Sequence, residues 1–278
     1  MTATEDALAL LRGVLSLMEP TRSQHLGAPE TLAAVDVLTQ AVDADSGTLA
    51  ARHALGWWHE LSAPSASEQE RAEHRRNAEE LLLPAYLAAP DSVPPRVRTR
   101  WESAASTADR RAAELYEGLN AGDGAVDPDE MVDAHRRVVA LTPLNDSQRF
   151  GHLTNLGNAL HTRFQRLGDL NDLTEAITTT RDAVTATPPT HPDRAMYLSN
   201  LGNALQTRFE RLGDLNDLTE AITTTRDAVT ATPPTHPDRA MYLSNLGNAL
   251  QTRFERLGDL NDLTEAITTT RDAVTATP

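Results

Sequence analysis

Apolar residues recur at steps of three and four along most of this chain, which is the spacing of one face of an α-helix. The best-defined stripe comprises Leu198, Leu201, Leu205, Phe209 and Leu212. It predicts a helix over about residues 193–212. Gly213 follows the stripe and is suited to end this helix, because glycine readily adopts the left-handed conformation found at helix C-termini.

A second helical stripe follows after a short turn. It comprises Leu218, Ala221, Ile222, Thr225, Ala228 and Val229. Asp217 and Glu220 resemble a capping box at the start of this helix, and Pro233 ends it because proline cannot continue a helix. The predicted unit is therefore helix, short turn, helix and Pro-rich turn. Neither helix can bury its apolar stripe alone, so the units must stack.

This unit occurs three times with nearly the same sequence. Its Leu-Gly pairs, Leu156-Gly157, Leu201-Gly202 and Leu246-Gly247, lie 45 residues apart, and such a period is typical of stacked supersecondary units. We predict three near-identical units in residues 146–278 and a diverged region of about three units, continuous with them, in residues 1–145. Segments near 63–70 and 119–128 are predicted to be long turns, and Pro84 is predicted to kink or break its helix.

The unit resembles a tetratricopeptide repeat (TPR). The residues that carry the resemblance are the Leu201-Gly202 pair in the first helix, Ala221 and Ala228 in the second helix, and Pro233 at its end. The unit is longer than the 34-residue family pattern, in its first helix and in both turns. The diverged region repeats the pattern in Leu55-Gly56, Ala78, Ala85 and Pro90. The resemblance implies an all-α fold, a right-handed α-solenoid of about six TPR-like helical hairpins with a concave groove.

The phrases "NLGNAL", "TRFER" and "LGWWHE" resemble the TPR arrays of actinobacterial proteins. Those arrays are often joined to a CHAT peptidase domain or to a nucleotide-binding switch domain, and no catalytic domain of that kind is recognisable in this sequence. The chain ends on the proline that closes a unit, without an atypical capping unit. This ending favours a fragment of a longer protein, whereas a protein that simply ends there is the alternative.

Composition narrows the class of protein. The net charge is −15, and all 25 basic residues are Arg, so no basic stripe for nucleic acid is present. The chain has no Cys, no N-terminal signal peptide and no apolar run of about 20 residues that would cross a membrane. We predict a cytoplasmic protein that binds neither nucleic acid nor membrane.

We predict no catalytic residues, no metal site and no cofactor. None of the nine His lies three or four residues from another, which a helical zinc motif would require. The sequence has no nucleophile elbow and no phosphate-binding Gly-rich loop. The tripeptide His-Pro-Asp at 191–193 and 236–238 is interpreted as an inter-unit turn, with Thr190 or Thr235 as a helix N-cap. Trp57 and Trp58 are predicted to pack in the core.

A row of identical polar groups suits an extended ligand. Spacings of three and four place the amides and their neighbours on one polar face of the first helices. In TPR arrays this face lines the groove, and Asn there often bonds a peptide backbone, as donor and acceptor. The predicted ligand-groove residues are Asn155, Asn158, Asn200, Asn203, Asn245, Asn248, Thr207 and Glu210. The alternative is that these Asn cap a neighbouring carbonyl group or bond the helix of the next unit. We expect Arg163, Arg208 and Arg253 to pair with acids at i,i+4 or between units.

The sequence therefore supports three functions. The first is a non-catalytic scaffold that binds an extended peptide or partner helix in its groove, where a neutral or basic peptide suits the acidic charge. The second is a regulatory sensor arm of a larger multidomain effector protein. The third is a self-assembling structural array, with self-association through the uncapped C-terminal unit.

Overall fold

The computed structural model describes residues 2–17, 21–44, 48–120 and 126–276. Within these ranges the chain is all-α, and no strand occurs. Two short 3-10 segments, Ala63–Ser65 and Pro90–Ser92, accompany the α-helices. The helices are α1 Ala3–Leu15, α2 Thr21–Leu26, α3 Pro29–Asp43, α4 Leu49–Ser62, α5 Glu68–Ala88, α6 Pro95–Asn120, α7 Pro128–Leu141, α8 Arg149–Leu167, α9 Leu170–Ala186, α10 Arg194–Leu212, α11 Leu215–Ala231, α12 Arg239–Leu257 and α13 Leu260–Ala276.

Helix-to-helix contacts divide the chain into two compact units. The first comprises Met1–Thr107 and Leu141–Asp146, and the second comprises Ala108–Ala140 and Ser147–Pro278. Helix α6 contributes its beginning to the first unit and its end to the second. Each unit consists of consecutive helices packed against each other, as the predicted all-α, TPR-like fold requires.

The first unit contains two packed helix pairs, α1 with α3 and α4 with α5. Trp58 is buried and donates its indole N–H to the carbonyl oxygen of Leu26 at 3.1 Å. Trp57 is half-buried and donates to the carbonyl oxygen of Ser92 at 3.1 Å. Helix α5 continues through Pro84, so the predicted break does not occur there. The first predicted long turn is shorter than expected, because α5 already begins at Glu68, inside it. Half of the second predicted long turn, residues 121–125, lies outside the described residues.

The second unit contains the three near-identical pairs, α8 with α9, α10 with α11, and α12 with α13. The predicted stripe of α10 is buried through Leu198, Leu201, Leu205 and Phe209, whereas Leu212 is 57% exposed. The stripe of α11 is buried as predicted, apart from the half-buried Val229. Each pair thus forms one helical hairpin with an apolar interior.

The Leu-Gly pair lets the two helices of a hairpin approach closely. A Cβ built on Gly202 would collide with the Thr225 hydroxyl and lie 3.2 Å from the carbonyl oxygen of Ala221. Thr225 cannot easily move away, because its Oγ1 donates to that same carbonyl at 2.7 Å. Gly157 meets Thr180 in the same way in the preceding hairpin. Glycine is therefore required here for packing.

The first helix of each hairpin ends as predicted. Gly213 has φ +75°, a left-handed conformation, and its N–H donates to the carbonyl oxygen of Phe209 at 2.7 Å. Gly168 and Gly258 end α8 and α12 with φ +78° and +72°.

The predicted capping box at the start of the second helix is wrong. Helix α11 begins at Leu215, and its N-cap is Asp214, whose carboxylate accepts from the N–H of Asn216 at 2.9 Å. Asp217 lies within the first turn and is buried there. The short turn is thus tighter than the sequence suggested, which frees Asp217 for another contact.

The His-Pro-Asp segment forms the inter-unit turn, as interpreted from the sequence. The N-cap of α10 is Asp193 and not Thr190, and no side chain caps it. Instead, Nδ1 of His191 accepts from the N–H of Asp193 at 3.2 Å. The His191 ring also packs edge-on against Phe150 of α8, with 4.6 Å between ring centroids. His236 makes the same bond to Asp238 in the next turn.

Consecutive hairpins pack through one repeated apolar interface. Leu246, Ala249 and Leu250 of α12 form a core cluster with residues of the preceding hairpin, among them Leu218 and Ile222 of α11. The corresponding cluster one unit earlier contains Leu201, Ala204 and Leu205 of α10 with Leu173 and Ile177 of α9. The interface therefore consists of first-helix leucines inserted beside the second helix of the previous hairpin.

Candidate functional site

The three candidate arginines stabilise the hairpins from within. Arg208 of α10 donates from two nitrogens to the carboxylate of Asp217 on α11, at 2.8 and 2.6 Å. Arg163 pairs with Asp172 and Arg253 with Asp262 in the same geometry. The predicted i,i+4 or inter-unit pairing is therefore wrong for the principal contact, since each pair joins the two helices of one hairpin. Of these three arginines, Arg163 also donates to a carboxylate of the preceding repeat, that of Asp129 on α7, at 2.8 Å.

A second arginine series joins consecutive hairpins. Arg181 of α9 donates to Glu220 of α11 at 2.9 Å, and Arg226 of α11 donates to Glu265 of α13 at the same distance. Glu220, assigned from the sequence to a capping box, instead belongs to this series. Arg136 and Glu175 form the corresponding pair one unit earlier.

The predicted ligand-groove residues lie on the first helices, and their environments differ. Asn245 of α12 donates its side-chain N–H to Oγ of Ser199 on α10 at 3.1 Å, which is the neighbouring-unit bond of the alternative interpretation. Thr207 donates to the carbonyl oxygen of Asn203 at 2.9 Å, and Glu210 accepts from the Gln206 amide at 3.2 Å. These contacts occupy part of the predicted polar row.

The remaining amides have no such contact. Among the described residues, the other five Asn of the predicted row make no side-chain hydrogen bond: Asn155, Asn158, Asn200, Asn203 and Asn248. Asn155 is exposed and Asn158 is half-buried. Both keep donor and acceptor groups available to a ligand.

Asn155 and Asn158 line a cavity of about 300 Å³ in the second unit. Residues of the helices α6, α7, α8 and α10 form its walls. Helix α6 contributes Tyr116, helix α7 contributes Met131, and helix α10 contributes Met196. The remaining lining residues are Asp109, Ala112, Ala113, His135, Ala159 and Thr162. Most of the wall is apolar, with a few polar groups at defined places, which is the usual character of a ligand pocket.

The charge of this cavity comes from its acidic rim. The side chain of Asp109 is 60% exposed, and its nearest basic group is His152, with Nδ1 at 3.8 Å. His135 is buried in the wall, and burial lowers its pKa, which favours the neutral imidazole. The cavity therefore presents apolar surface, two free amides and one carboxylate.

The sequence did not indicate the cavity residues that α6 and α7 contribute. Asp109, Tyr116 and Met131 belong to the diverged helices α6 and α7, where the repeat pattern is weakest. Met196 and its equivalent Met241 are 40% and 49% exposed, although they lie on helices with well-buried stripes. A methionine off the apolar stripe, beside a row of Asn, was the signal that could have located an apolar contact surface.

The geometry of the hairpins agrees with the comparison with known families. Residues 194–238, which are one 45-residue unit, match the family model described as tetratricopeptide repeat. The protein is TPR-like. TPR units generally mediate protein–protein interaction. No curated protein matches this TPR-like chain, and the likeness to actinobacterial arrays joined to effector domains stays a prediction. In the described residues, no helix is both long and apolar enough to span a membrane.

Proposed function

We propose that this TPR-like protein is an interaction scaffold that binds an extended peptide segment of a partner protein across α6, α8 and α10. The observation that carries the proposal is the pair of unbonded amides, Asn155 and Asn158, at the edge of the apolar cavity. An amide offers a donor and an acceptor, which is what an extended peptide backbone needs.

The cavity defines the side chain that the peptide would insert. A volume of about 300 Å³ with a wall of Met131, Met196 and alanines accepts a leucine, methionine or phenylalanine side chain. The carboxylate of Asp109 at the rim favours a lysine or arginine nearby. The preferred ligand is therefore an extended segment with one large apolar residue beside a basic residue.

A peptide-display selection with the full chain as bait tests this proposal. We expect enrichment of peptides with an apolar residue flanked by Lys or Arg. Replacement of both Asn155 and Asn158 by Ala should weaken binding of the selected peptide about 5- to 150-fold, because two lost amide contacts cost about 1–3 kcal/mol together.

The matched control is Asn216→Ala, which removes an exposed amide at the start of α11, away from the cavity lining. This variant should bind the selected peptide as the unchanged protein does. The proposal fails if no peptide is enriched above display background, or if the double variant binds the selected peptide as tightly as the Asn216 variant.

A further inference from the structure

We propose that a groove at the turn between α8 and α9 binds an acidic peptide segment, through an apolar residue that adjoins a carboxylate. This groove, called the tip groove, has a volume of about 390 Å³. Its lining side chains are those of Phe164, Gln165, Arg166, Leu167, Leu170 and Arg211. It shares no residue with the cavity of Asn155 and Asn158, so the inference does not rest on the proposed function.

The apolar part of the tip groove is exposed inside the array. Leu167 is 62% exposed and Leu170 is 40% exposed, on either side of the turn at Gly168. The next turn exposes its own pair to nearly the same degree, with Leu212 at 57% and Leu215 at 40%. The exposure therefore belongs to the turn within each hairpin and does not depend on where the chain ends. Grouped apolar side chains with a polar border are typical of interaction sites.

Two guanidinium groups border this apolar part and lack an acidic partner. That of Arg211 lies over the Phe164 ring, 5.6 Å from the ring centroid. That of Arg166 donates one N–H to the carbonyl oxygen of Val126 at 2.9 Å. Neither forms an ion pair with a described residue, whereas the arginines that join the helices of the second unit all do. Since a guanidinium has five N–H donors, most donors of both groups remain for a ligand.

The neighbouring acids do not neutralise the tip groove. Asp169 accepts from the N–H of Asn171 at 2.9 Å and does not contribute to the lining. The equivalent of Gln165 in the next hairpin is Glu210, so the tip groove has a neutral amide where the next turn has a carboxylate. In a chain of net charge −15, the tip groove thus combines two cationic groups with a lining that contains no carboxylate.

This combination specifies the ligand. A guanidinium binds a carboxylate through two parallel hydrogen bonds, and the exposed leucines accept an apolar side chain beside it. A polyanion such as nucleic acid is disfavoured, because the acidic remainder of the chain repels it. The fitting ligand is therefore a peptide segment in which leucine, or a residue of similar size, adjoins Asp or Glu. The cavity of Asn155 and Asn158 is proposed to favour a basic residue, so the two sites select different segments.

The probe is a fluorescein-labelled peptide of sequence Gly-Glu-Leu-Glu-Gly, titrated with the full chain and followed by fluorescence anisotropy. We expect saturable 1:1 binding, with half-saturation below about 1 mM. The same peptide with Gln in place of both Glu should bind at least about fivefold more weakly, because it offers no carboxylate to the guanidinium groups.

Two protein variants test the charge of the tip groove. Gln165→Glu should weaken binding about two- to fivefold, because it places a carboxylate beside those of the peptide. This variant should keep its fold, since Glu210 is the natural residue at the equivalent position, and circular dichroism checks its helix content. Joint replacement of Arg166 and Arg211 by Gln should weaken binding about 3- to 30-fold, because each exposed ion pair contributes up to a few-fold in affinity.

Two controls separate this site from the rest of the protein. Arg96→Gln changes an exposed arginine of the first unit and should leave binding of the acidic peptide unchanged. The joint replacement of Asn155 and Asn158 by Ala, which tests the proposed function, should also leave it unchanged. Failure of one proposal is then distinguishable from failure of the other.

Three results would overturn the inference. The first is no saturation at a peptide concentration of about 1 mM. The second is equal binding of the Glu and Gln peptides, or equal binding by the double arginine variant and the Arg96→Gln protein. The third is no binding of the acidic peptide together with binding to phosphatidylserine vesicles that the double arginine variant loses, because the occupant would then be an anionic membrane surface.

Discussion

At the scale of single residues, arginine joins the helices of the second unit. The guanidinium of Arg208 contacts both oxygens of Asp217, whose side chain is 7% exposed. A planar fork suits this two-point contact, which the single ammonium of lysine cannot reproduce. Arg253 holds the pKa of Asp262 below its ordinary value through the same contact. These hairpin contacts thus use the type of basic residue that the chain contains, since all its basic residues are Arg.

The Arg208–Asp217 pair gives a stability prediction. Asp217→Ala should destabilise the second unit by about 2 kcal/mol. Loss of one partner from a buried pair costs about 3–5 kcal/mol, and here Arg208 keeps 21% of its side chain exposed, so water compensates in part. Urea unfolding followed by circular dichroism measures the change. Asp227→Ala, an exposed aspartate on the same helix, should shift stability by less than about 0.5 kcal/mol. Equal effects of the two variants would contradict the assignment.

His59 gives a pH prediction for the first unit. Burial, assisted by the neighbouring His74, lowers the pKa of His59 from 6.5 to about 4. The folded state thus holds this imidazole neutral, while the unfolded chain protonates it below about pH 6.5. The stability that follows is complete above pH 6.5 and is lost as the pH falls toward 4.

All three Trp lie in the first unit, so Trp fluorescence during urea unfolding reports on it. The unfolding midpoint should fall between pH 7.5 and 5 and fall less in His59→Gln. The same slope in both proteins would show that other groups cause the pH dependence.

At the scale of helices, close approach within each hairpin depends on one glycine and one threonine. Gly202 lies against Thr225, and the threonine is held by its bond to Ala221. The repeated Leu-Gly pair therefore marks the point where first and second helices touch.

Replacement of Gly by Ala should have opposite effects on stability at Gly202, which makes this contact, and at Gly13, which does not. Gly202→Ala should destabilise the protein by about 1–3 kcal/mol, because the new methyl group overpacks the contact. Gly13→Ala should stabilise it by about 0.5–1 kcal/mol, since Gly13 is an exposed position within α1 with no neighbouring atom within 4 Å and alanine favours helix. Thermal unfolding of both variants checks the signs. A stabilising Gly202→Ala would show that the helices can separate at little cost.

The sequence predicted the position of the first helix of the repeat but misplaced the start of the second helix. Periodicity and Gly213 placed α10 within one residue of its observed start, because apolar spacing and left-handed glycine are local signals. The start of α11 was misplaced, since Asp214 and Asp217 are both plausible caps by sequence. Only the approach of Arg208 from another helix distinguishes them. Long-range partners of this kind are invisible to a local pattern.

The sequence predicted only the part of the candidate site that the repeats contribute. The row of Asn on the first helices came from helical spacing, and Asn155 and Asn158 do line a cavity. The spacing did not show that Asn245 bonds Ser199, nor that Tyr116 and Met131 complete the cavity wall. Those facts depend on which helices become neighbours, and the diverged helices carry no repeat signal for it.

At the scale of the whole chain, identical units do not produce identical surfaces. Met196 and Met241 have the same sequence neighbours, yet Met196 faces a cavity completed by α6 and α7, whereas Met241 does not line it. The cavity, which is the proposed binding surface, thus lies where a regular repeat adjoins a diverged one. The net charge of −15 is consistent with the basic residue expected in the proposed peptide ligand.

The most direct test of the account is methyl NMR of the full chain with labelled methionine, recorded with a display-selected peptide. Met131 and Met196 line the cavity, and Met241 is the internal control on an equivalent helix. The account predicts that the peptide shifts the Met131 and Met196 methyl signals and leaves the Met241 signal in place. Equal shifts of Met196 and Met241, or a shift of Met241 alone, would contradict it.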